Sequence, residues 1–539
     1  MQEEERDISI GRSASIISIA TIVSRLTGFI RTWALAFALG NTLLSSAYQV
    51  ANNLPNMLYE MVMGGILVTA FLPVYMQVKK RLGKEEANTY ASNILTITFI
   101  FLGIISILAT IFAAQMIYTQ NFLDSSMSSK TNELATFFFR FFAIQIVLYG
   151  ASSIVSGILN AERDYLWSSI APIFNNLVTI ITMFVYVALK AISQQLALTA
   201  LGIGTTLGVF AMLAIQLPAL SKNNIRLKFY VNLKDPALKD TLKLGLPALL
   251  VMLASSVATS VQNAVSLAIV LSGPSIIYYA RLWYTLPYSF LAVPIHTTLF
   301  TELSEMYSEG DIVNFKRALI KGTRELFFML IPFSIFLIVF ADPLITLFHI
   351  GAFDQKSVHQ IALYLQQIAP ALSLYAVMMF LNKVFSAMHK MSHFAIINVF
   401  ATMVQIVFLF VLSFGYFGLP ELGMFGTAIA RWIFNFVNVV ICFYVLRRML
   451  GLLGLKNTLK TIGKALGFGF VGGLAGWLVL QGLYVLVGTL SGSPLQALAY
   501  VSVAGSVSVL VSFGGAALLK LEETAVMRKL LKKVVHKFK

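Results

Sequence analysis

The chain carries little charge. Only 12% of its 539 residues are Asp, Glu, Lys or Arg, about half the share of a soluble domain. With a mean hydropathy of +0.82, this excludes an ordinary water-soluble fold. One cysteine, Cys442, excludes an intrachain disulfide. The motifs G-x-x-x-x-G-K-[ST], H-E-x-x-H and G-x-S-x-G are missing, so P-loop hydrolysis, zincin chemistry and a serine-hydrolase elbow have no support. No metal-ligand spacing and no cofactor motif in a credible context is found; no catalytic constellation is expected. GFGFVGGLAG, residues 467–476, matches G-x-G-x-x-G, but it lies in an apolar helix with no preceding strand. The opening MQEEERDISIGR has no early basic region or small-residue cleavage site, so the first apolar run is expected to be retained.

What the chain has is apolar runs. Runs of about 20 residues recur along its length and predict an all-α polytopic membrane protein. A β-barrel would show short alternating segments instead. Fourteen spans are expected, near 13–40, 45–78, 91–118, 134–160, 165–189, 196–220, 244–271, 275–301, 326–348, 358–388, 393–415, 423–446, 465–488 and 495–519. With the N-terminus in the cytoplasm, 30 of the 39 basic residues fall in cytoplasmic loops and tails. This is the positive-inside pattern, with both termini cytoplasmic. The net charge of +16 is therefore a topology signal and an attraction to anionic membrane lipid, and no nucleic-acid partner is expected. The tail MRKLLKKVVHKFK, residues 527–539, reads as a basic amphipathic helix on the inner leaflet.

A weak internal repeat is present. LPNMLYEMVMGGILVTAFLPVY from Leu54 matches LPYSFLAVPIHTTLFTELSEMY from Leu286, aligning Pro55 with Pro287, Thr69 with Thr301 and Tyr75 with Tyr307. ILNAERDY from Ile158 matches VFSAMHKM from Val384, and LGIGTTLG from Leu201 matches GMFGTAIA from Gly423. The order is kept and the offsets are similar, which indicates duplication. The expected organisation is a six-helix lobe 1–221, a cytoplasmic linker 222–243, a second six-helix lobe 244–449, two further spans in 450–520 and a basic tail 521–539. Six spans per half place the lobes in the same orientation, related by an axis along the membrane normal.

The chemistry sits in charges where the chain is most apolar. SRLTGFIR, residues 24–31, puts Arg25 about 18 Å into the first span and Arg31 about 9 Å further. Arg281 enters from the outer end of the eighth span; Arg431 and Lys383 lie less deep. A buried arginine costs about 2.5–3.5 kcal/mol to insert, so it faces an interior cavity. Glu60 is the one acid placed deep in a span, and it cannot neutralise Arg25, Arg31 and Arg281 together. Surplus positive charge in low dielectric calls for a visiting anion, and the guanidinium fork suits phosphate. Competing readings stay open. Glu60 serves either as the ion-pair partner of one arginine or as a switch. Asn52, Asn53 and Asn56 flank Pro55 and serve either to satisfy backbone freed by the proline or to contact substrate. His296 reads as an interior hydrogen-bonded residue. Gly28 offers a point for the first helix to bend.

With these residues in view the chain resembles the MurJ/MviN lipid II flippases of the multidrug/oligosaccharidyl-lipid/polysaccharide exporter superfamily. The resemblance rests on SRLTGFIR, on NNLPNMLYEMVMGGILVTAFLPVY and on YYARLWYTLP from Tyr278. It implies a non-enzymatic flippase in the bacterial cytoplasmic membrane that moves lipid II to the outer leaflet by alternating access. It also implies service to peptidoglycan synthesis alongside other cell-wall synthesis proteins, and a lipid-tail groove formed by the last two spans. Under it, the substrate-binding residues are Arg25, Arg31, Arg281, Glu60, Asn52 and Asn56. The chain departs from the family pattern at several places. Thr32 and Ser46 stand where Asp is common, Tyr59 and Glu60 where basic residues follow LPN, and Arg281 and Leu282 where Asp and Arg are usual. Lys390 stands where a sodium site would want Asp, although Asn382 is kept, which argues against sodium coupling. A flippase for another polyprenyl-pyrophosphate glycan fits the arginines equally well. A cationic drug exporter would want cavity carboxylates, and a polyprenyl-lipid enzyme would want paired acids or a metal motif.

Overall fold

The computed structural model describes residues 2–61, 71–123 and 128–518. The expected basic tail helix and Thr69 of the repeat lie outside the described residues. Contacts divide the chain into two compact units, 1–274 and 275–539. Among the described residues the structure is helical, without strands.

The first unit contains α1 (Gln2–Leu39), α2 (Leu43–Tyr59), α3 (Leu72–Leu82), α4 (Lys84–Ile111), α5 (Ala113–Tyr118), α6 (Ser128–Phe142), α7 (Gln145–Ala161), α8 (Tyr165–Lys190), α9 (Gln194–Ala214), α10 (Leu217–Lys222) and α11 (Pro236–Ile269). The second contains α12 (Gly273–Pro287), a π-helical turn at Tyr288–Ala292, α13 (Val293–Ser308), α14 (Ile312–Val339), α15 (Ala341–Thr346), α16 (Gln355–Ile368), α17 (Ala371–Ala387), α18 (Met391–Phe414), α19 (Met424–Leu450), α20 (Leu455–Leu486) and α21 (Pro494–Val509). Ten helices among the described residues are long and apolar enough to cross a membrane, and twelve if two bent pairs each count as one span. The expected second and eighth spans do not add to that number, for a local reason. Residues 62–70 interrupt the description of the second, and Pro287 with the π turn divides the eighth into two shorter helices.

The repeat seen weakly in sequence is explicit in the backbone. Helices α4 and α14 are each 28 residues long. Each ends at a phenylalanine that leaves helical geometry: Phe112 at φ −93°, ψ 29° and Phe340 at φ −102°, ψ 16°. A six-residue helix follows each. The α6–α7 pair bends by 41° and the α16–α17 pair by 54°. Helix α7 closes through Arg163 at φ 62° and α17 through His389 at φ 55°. The next residue then bonds back, Asp164 N to Leu159 O at 2.9 Å and Lys390 N to Phe385 O at 2.8 Å. Both are six-to-one helix endings of the Schellman type, built with a non-glycine residue in the left-handed region. At the aligned positions of LGIGTTLG and GMFGTAIA, Thr205 meets the Tyr48 hydroxyl of α2 at 3.0 Å and Thr427 the Tyr364 hydroxyl of α16 at 3.1 Å, tyrosines on helices that are not counterparts in the repeat.

Small residues set the close packing. A Cβ at Gly426 of α19 would lie 2.6 Å from the Ser413 backbone nitrogen of α18, so only glycine admits that approach. In α20, the two GxxxG pairs face different neighbours. Gly469 and Gly473 meet Pro332 and Ile335 of α14, while Gly472 and Gly476 meet Ser512 and Ser508 on the α21 side. The interrupted glycine motif is thus a two-sided packing seam.

Two polar arrangements tie together the loop ends of the first unit around α3, α4 and α7. Glu162 accepts from Lys79 Nζ at 2.7 Å and from the Tyr75 hydroxyl at 3.1 Å, with Lys84 Nζ at 3.8 Å. Burial pushes the Glu162 carboxyl up, but the hydrogen bond and charge of Lys79, with Tyr75 and Lys84, outweigh it and hold it below its ordinary value. Residues 228–235 are strapped to α4. Lys228 N donates to Ser92 Oγ at 3.1 Å, Tyr230 N to Thr96 Oγ1 at 3.3 Å and Asn232 N to Asn93 Oδ1 at 2.7 Å. Asn93 Nδ2 returns a bond to Asn232 O at 2.9 Å and one to Asp235 at 3.3 Å.

Candidate functional site

Helix α1 runs unbroken through Gly28, so the arginines are aimed by packing and not by a bend. Asn176 Nδ2 of α8 donates to Thr27 Oγ1 at 3.0 Å and to Ser24 O at 3.3 Å. At 100° per residue, locking Ser24 and Thr27 onto α8 turns Arg25 away from it. Arg25 is exposed and pairs with no carboxylate among the described residues. Arg31 is half-buried and engaged by its neighbours.

On α2, Asn52, Asn56 and Glu60 recur every four residues and so share one face. Asn56 Nδ2 donates to Glu60 Oε1 at 2.8 Å. Asn56 therefore orients the acid. Asn52 is half-buried and Glu60 exposed. Neighbouring Tyr59 is buried; its hydroxyl meets Ser153 of α7, and its ring lies 6.0 Å from that of Tyr149. Tyr149 feels the positive charge of Arg31 and the negative charge of Glu60 together. In the first unit Arg31 and Glu60 thus act on one tyrosine, and Asn56 holds the acid. Arg25 stands about 9 Å along the axis from Arg31 by helical rise.

Arg281 lies on α12 in the second unit and is exposed. Its charge reaches Arg431 of α19. Tyr284 lies in the field of both guanidinium groups. Its ring is 5.7 Å from that of Tyr375, which is 4.9 Å from Tyr288. Arg431 also stands over Phe434, 5.6 Å from the ring centre. His296 is buried between Tyr288 and Phe380, at 5.6 and 5.8 Å. Sequence reasoning missed Tyr149, Tyr284 and Tyr375. Their signal, a tyrosine within an apolar run, is common to many spans.

The second unit also holds an apolar crevice of about 710 Å³. Ile331 and Ile335 of α14, Val440 and Phe443 of α19 and Leu459 and Ile462 of α20 wall it, and Arg447 stands at one end. Helix α21 contributes no lining residue. Beside it Arg448 donates to the Tyr444 hydroxyl at 3.0 Å. Among the described residues no group of His, Cys, Asp and Glu is arranged to hold a metal.

The arrangement can receive an anion with an apolar appendage. The family model described as lipid II flippase MurJ matches residues 35–490. A probable lipid II flippase MurJ of Buchnera aphidicola is 28% identical over 347 residues, 64% of this chain and 66% of the relative. A lipid II flippase MurJ of Burkholderia cenocepacia is 25% identical over 362 residues, 66% of this chain and 69% of the relative. Among solved structures, a lipid II flippase MurJ in an inward closed conformation superposes with a TM-score of 0.73 at 21% identity, covering 94% of this chain and 99% of that one. An inward-facing multidrug transporter of the MATE family gives 0.68 at 18% identity, covering 82% and 98%. At these identities the structures speak for the fold alone.

Proposed function

The chain belongs to the MurJ family of lipid II flippases, and from that premise we propose that it moves the polyprenyl-pyrophosphate-linked peptidoglycan precursor across the bacterial cytoplasmic membrane, from inner to outer leaflet. One observation carries the reading. Arg31 and Glu60 both act electrostatically on Tyr149, while Arg25 is exposed and has no carboxylate partner among the described residues. One acid, already held by Asn56, leaves net positive charge for a pyrophosphate. Paired guanidinium hydrogen bonds suit that group better than a point charge would.

In this reading the two repeated lobes provide alternating access. The pyrophosphate is held by Arg25 and Arg31 in the first unit, and Arg281 of the second unit is a further anion-binding residue. Asn52 and Asn56 line the approach, and Glu60 tunes the charge around Arg31. The prenyl chain follows apolar surface such as the crevice walled by α14, α19 and α20. Both termini lie in the cytoplasm, as the basic loops require. The membrane potential is a sufficient driver in scale, at about 2.3 kcal/mol per charge per 100 mV. Lysine at position 390 argues against sodium. Cell-wall synthesis proteins that consume the precursor are the expected partners.

The test is depletion of the protein, with lipid-linked precursor scored by leaflet. Accumulation on the inner leaflet is expected, rescued by the wild-type chain and not by Arg25→Ala. Normal outer-leaflet delivery without the protein would overturn the assignment. Normal rescue by Arg25→Ala would remove that residue from the phosphate site.

A further inference from the structure

We infer that the apolar crevice between α14, α19 and α20 binds a diacyl phospholipid with an anionic head. Its acyl chains fill the crevice, and Arg447 and Arg448 hold its phosphate. The inference goes beyond the flippase reading: it needs these helices to span a membrane, and nothing about what the protein carries.

The crevice exists because α20 is seated on one side. Gly469 and Gly473 bring it against Pro332 and Ile335 of α14, and the space toward α19 stays open over about 710 Å³. An apolar lining forfeits dispersion contacts unless apolar matter fills the space. The three walls have one length. They run from Phe327 to Ile338, from Phe436 to Arg447 and from Leu455 to Leu466, each about 16 Å by helical rise. That is half of a hydrocarbon core of about 30 Å, the depth of one leaflet. A phospholipid acyl chain has that reach. A prenyl chain longer than a leaflet outruns the crevice and lies over the chains that fill it.

One end of the crevice is charged and the other is not. Tyr444 and Arg447 line both the crevice and an adjoining cleft of about 540 Å³, which Arg448 lines as well. Arg448 is fixed there by bonds to the Tyr444 hydroxyl at 3.0 and 3.2 Å. Neither arginine pairs with a carboxylate among the described residues, and the sequence holds no acid between Glu421 and Glu522. Lys456 and Lys460, in the first turns of α20, are exposed and add positive potential at the same end. Thr458 lines the crevice close by. It is buried, and its hydroxyl has no partner among the described residues. The ester oxygens of a phospholipid lie between phosphate and chains, where such a donor needs an acceptor. Arginines that mark only a helix end would need neither the cleft nor the crevice behind it. Basic pockets between membrane helices are head-group sites as a class, and the guanidinium fork suits phosphate.

The test uses the full chain in detergent and three probes: phosphatidylglycerol, phosphatidylcholine with the same chains, and a short polyprenyl pyrophosphate. Bound lipid is counted by native mass spectrometry for wild type, R447Q/R448Q, T458V, V440W and K80Q. Wild type is expected to prefer phosphatidylglycerol about tenfold. R447Q/R448Q should lose that preference and keep its affinity for phosphatidylcholine. V440W, which puts a ring into the crevice, should weaken both diacyl lipids alike. T458V should weaken both by about fivefold. K80Q removes a surface charge of the first unit and should change nothing. Phosphatidylglycerol should also raise the unfolding midpoint of wild type and K80Q, and not that of R447Q/R448Q. No preference in wild type, or a preference that survives in R447Q/R448Q, would assign the crevice to bulk lipid and overturn the inference. So would full phosphatidylglycerol binding in V440W. If the polyprenyl pyrophosphate displaces phosphatidylglycerol and V440W abolishes its binding, the crevice belongs to the carried lipid; this inference falls and the flippase reading stands. If R447Q/R448Q loses the preference while depleted cells still deliver precursor, the lipid site stands and the flippase reading falls.

Discussion

Asn93 is the hinge of the linker strap, and removing it has a calculable effect. It is fully buried, accepts from Asn232 N at 2.7 Å and donates to Asn232 O at 2.9 Å. Its third bond, to Asp235 at 3.3 Å, is long enough to add little. Asn93→Ala therefore strips both backbone groups of Asn232 of their partners. A net hydrogen bond contributes about 0.5–1.5 kcal/mol, and Asn232 is only half-buried, so water replaces part of the loss. The two good bonds together give about 2 kcal/mol, or roughly a thirtyfold rise in the population of released linker. Lys228 and Lys234 are exposed on this stretch, and trypsin cuts only when several flanking residues leave the helix face. Where opening is fast relative to cleavage, the rate follows that population. Tryptic cleavage within 226–234 should thus quicken by about thirtyfold in Asn93→Ala, without faster cleavage at Lys190 or Lys356. An unchanged rate would mean that Ser92, Thr96 and the buried Ile225 hold the strap without Asn93, and the energy assignment would be wrong.

Two further predictions concern the Glu162 cluster and the repeated helix endings. Glu162→Gln keeps an acceptor for Tyr75 but removes the charge that Lys79 and Lys84 face. Because the folded carboxyl is held below its ordinary value of 4.5, its contribution is full above that value and is lost as pH falls through the folded value. Thermal unfolding followed by tryptophan fluorescence should show the wild type losing more stability than Glu162→Gln on acidification below pH 4.5; parallel curves would refute this. Arg163 and His389 occupy the left-handed region at φ 62° and 55°, which costs a side-chain-bearing residue about 1–2 kcal/mol. Arg163→Gly and His389→Gly should each raise the unfolding midpoint by a similar amount, and opposite signs would argue against equivalent endings.

The helices were legible because hydrophobic length is a local property, and the duplication was legible wherever it left side chains behind. ILNAERDY and VFSAMHKM share few letters, yet Arg163 and His389 take the same left-handed turn; backbone geometry outlasts sequence similarity because a helix ending asks for a conformation and only weakly for a residue. The 28-residue helices closing at Phe112 and Phe340 went unnoticed for the opposite reason, since a phenylalanine in an apolar run marks nothing by itself. At the site, a charge count sufficed to single out Arg25 and Arg31, because an ion in hydrocarbon is costly whichever neighbours it has. Pairwise meetings could not be read that way. Asn56 reaches Glu60 one helical turn on, which spacing permits, but Tyr149 meets Arg31 and Glu60 only through the packing of three helices. The polar residues Ser92, Asn93 and Thr96 at the start of α4 carry no mark in the sequence of the linker backbone that they hold more than 130 positions on. Solvation penalties are written residue by residue, whereas the partners that relieve them are written in the fold; an unrelieved charge is thus the feature of a membrane sequence from which a ligand is most directly inferred.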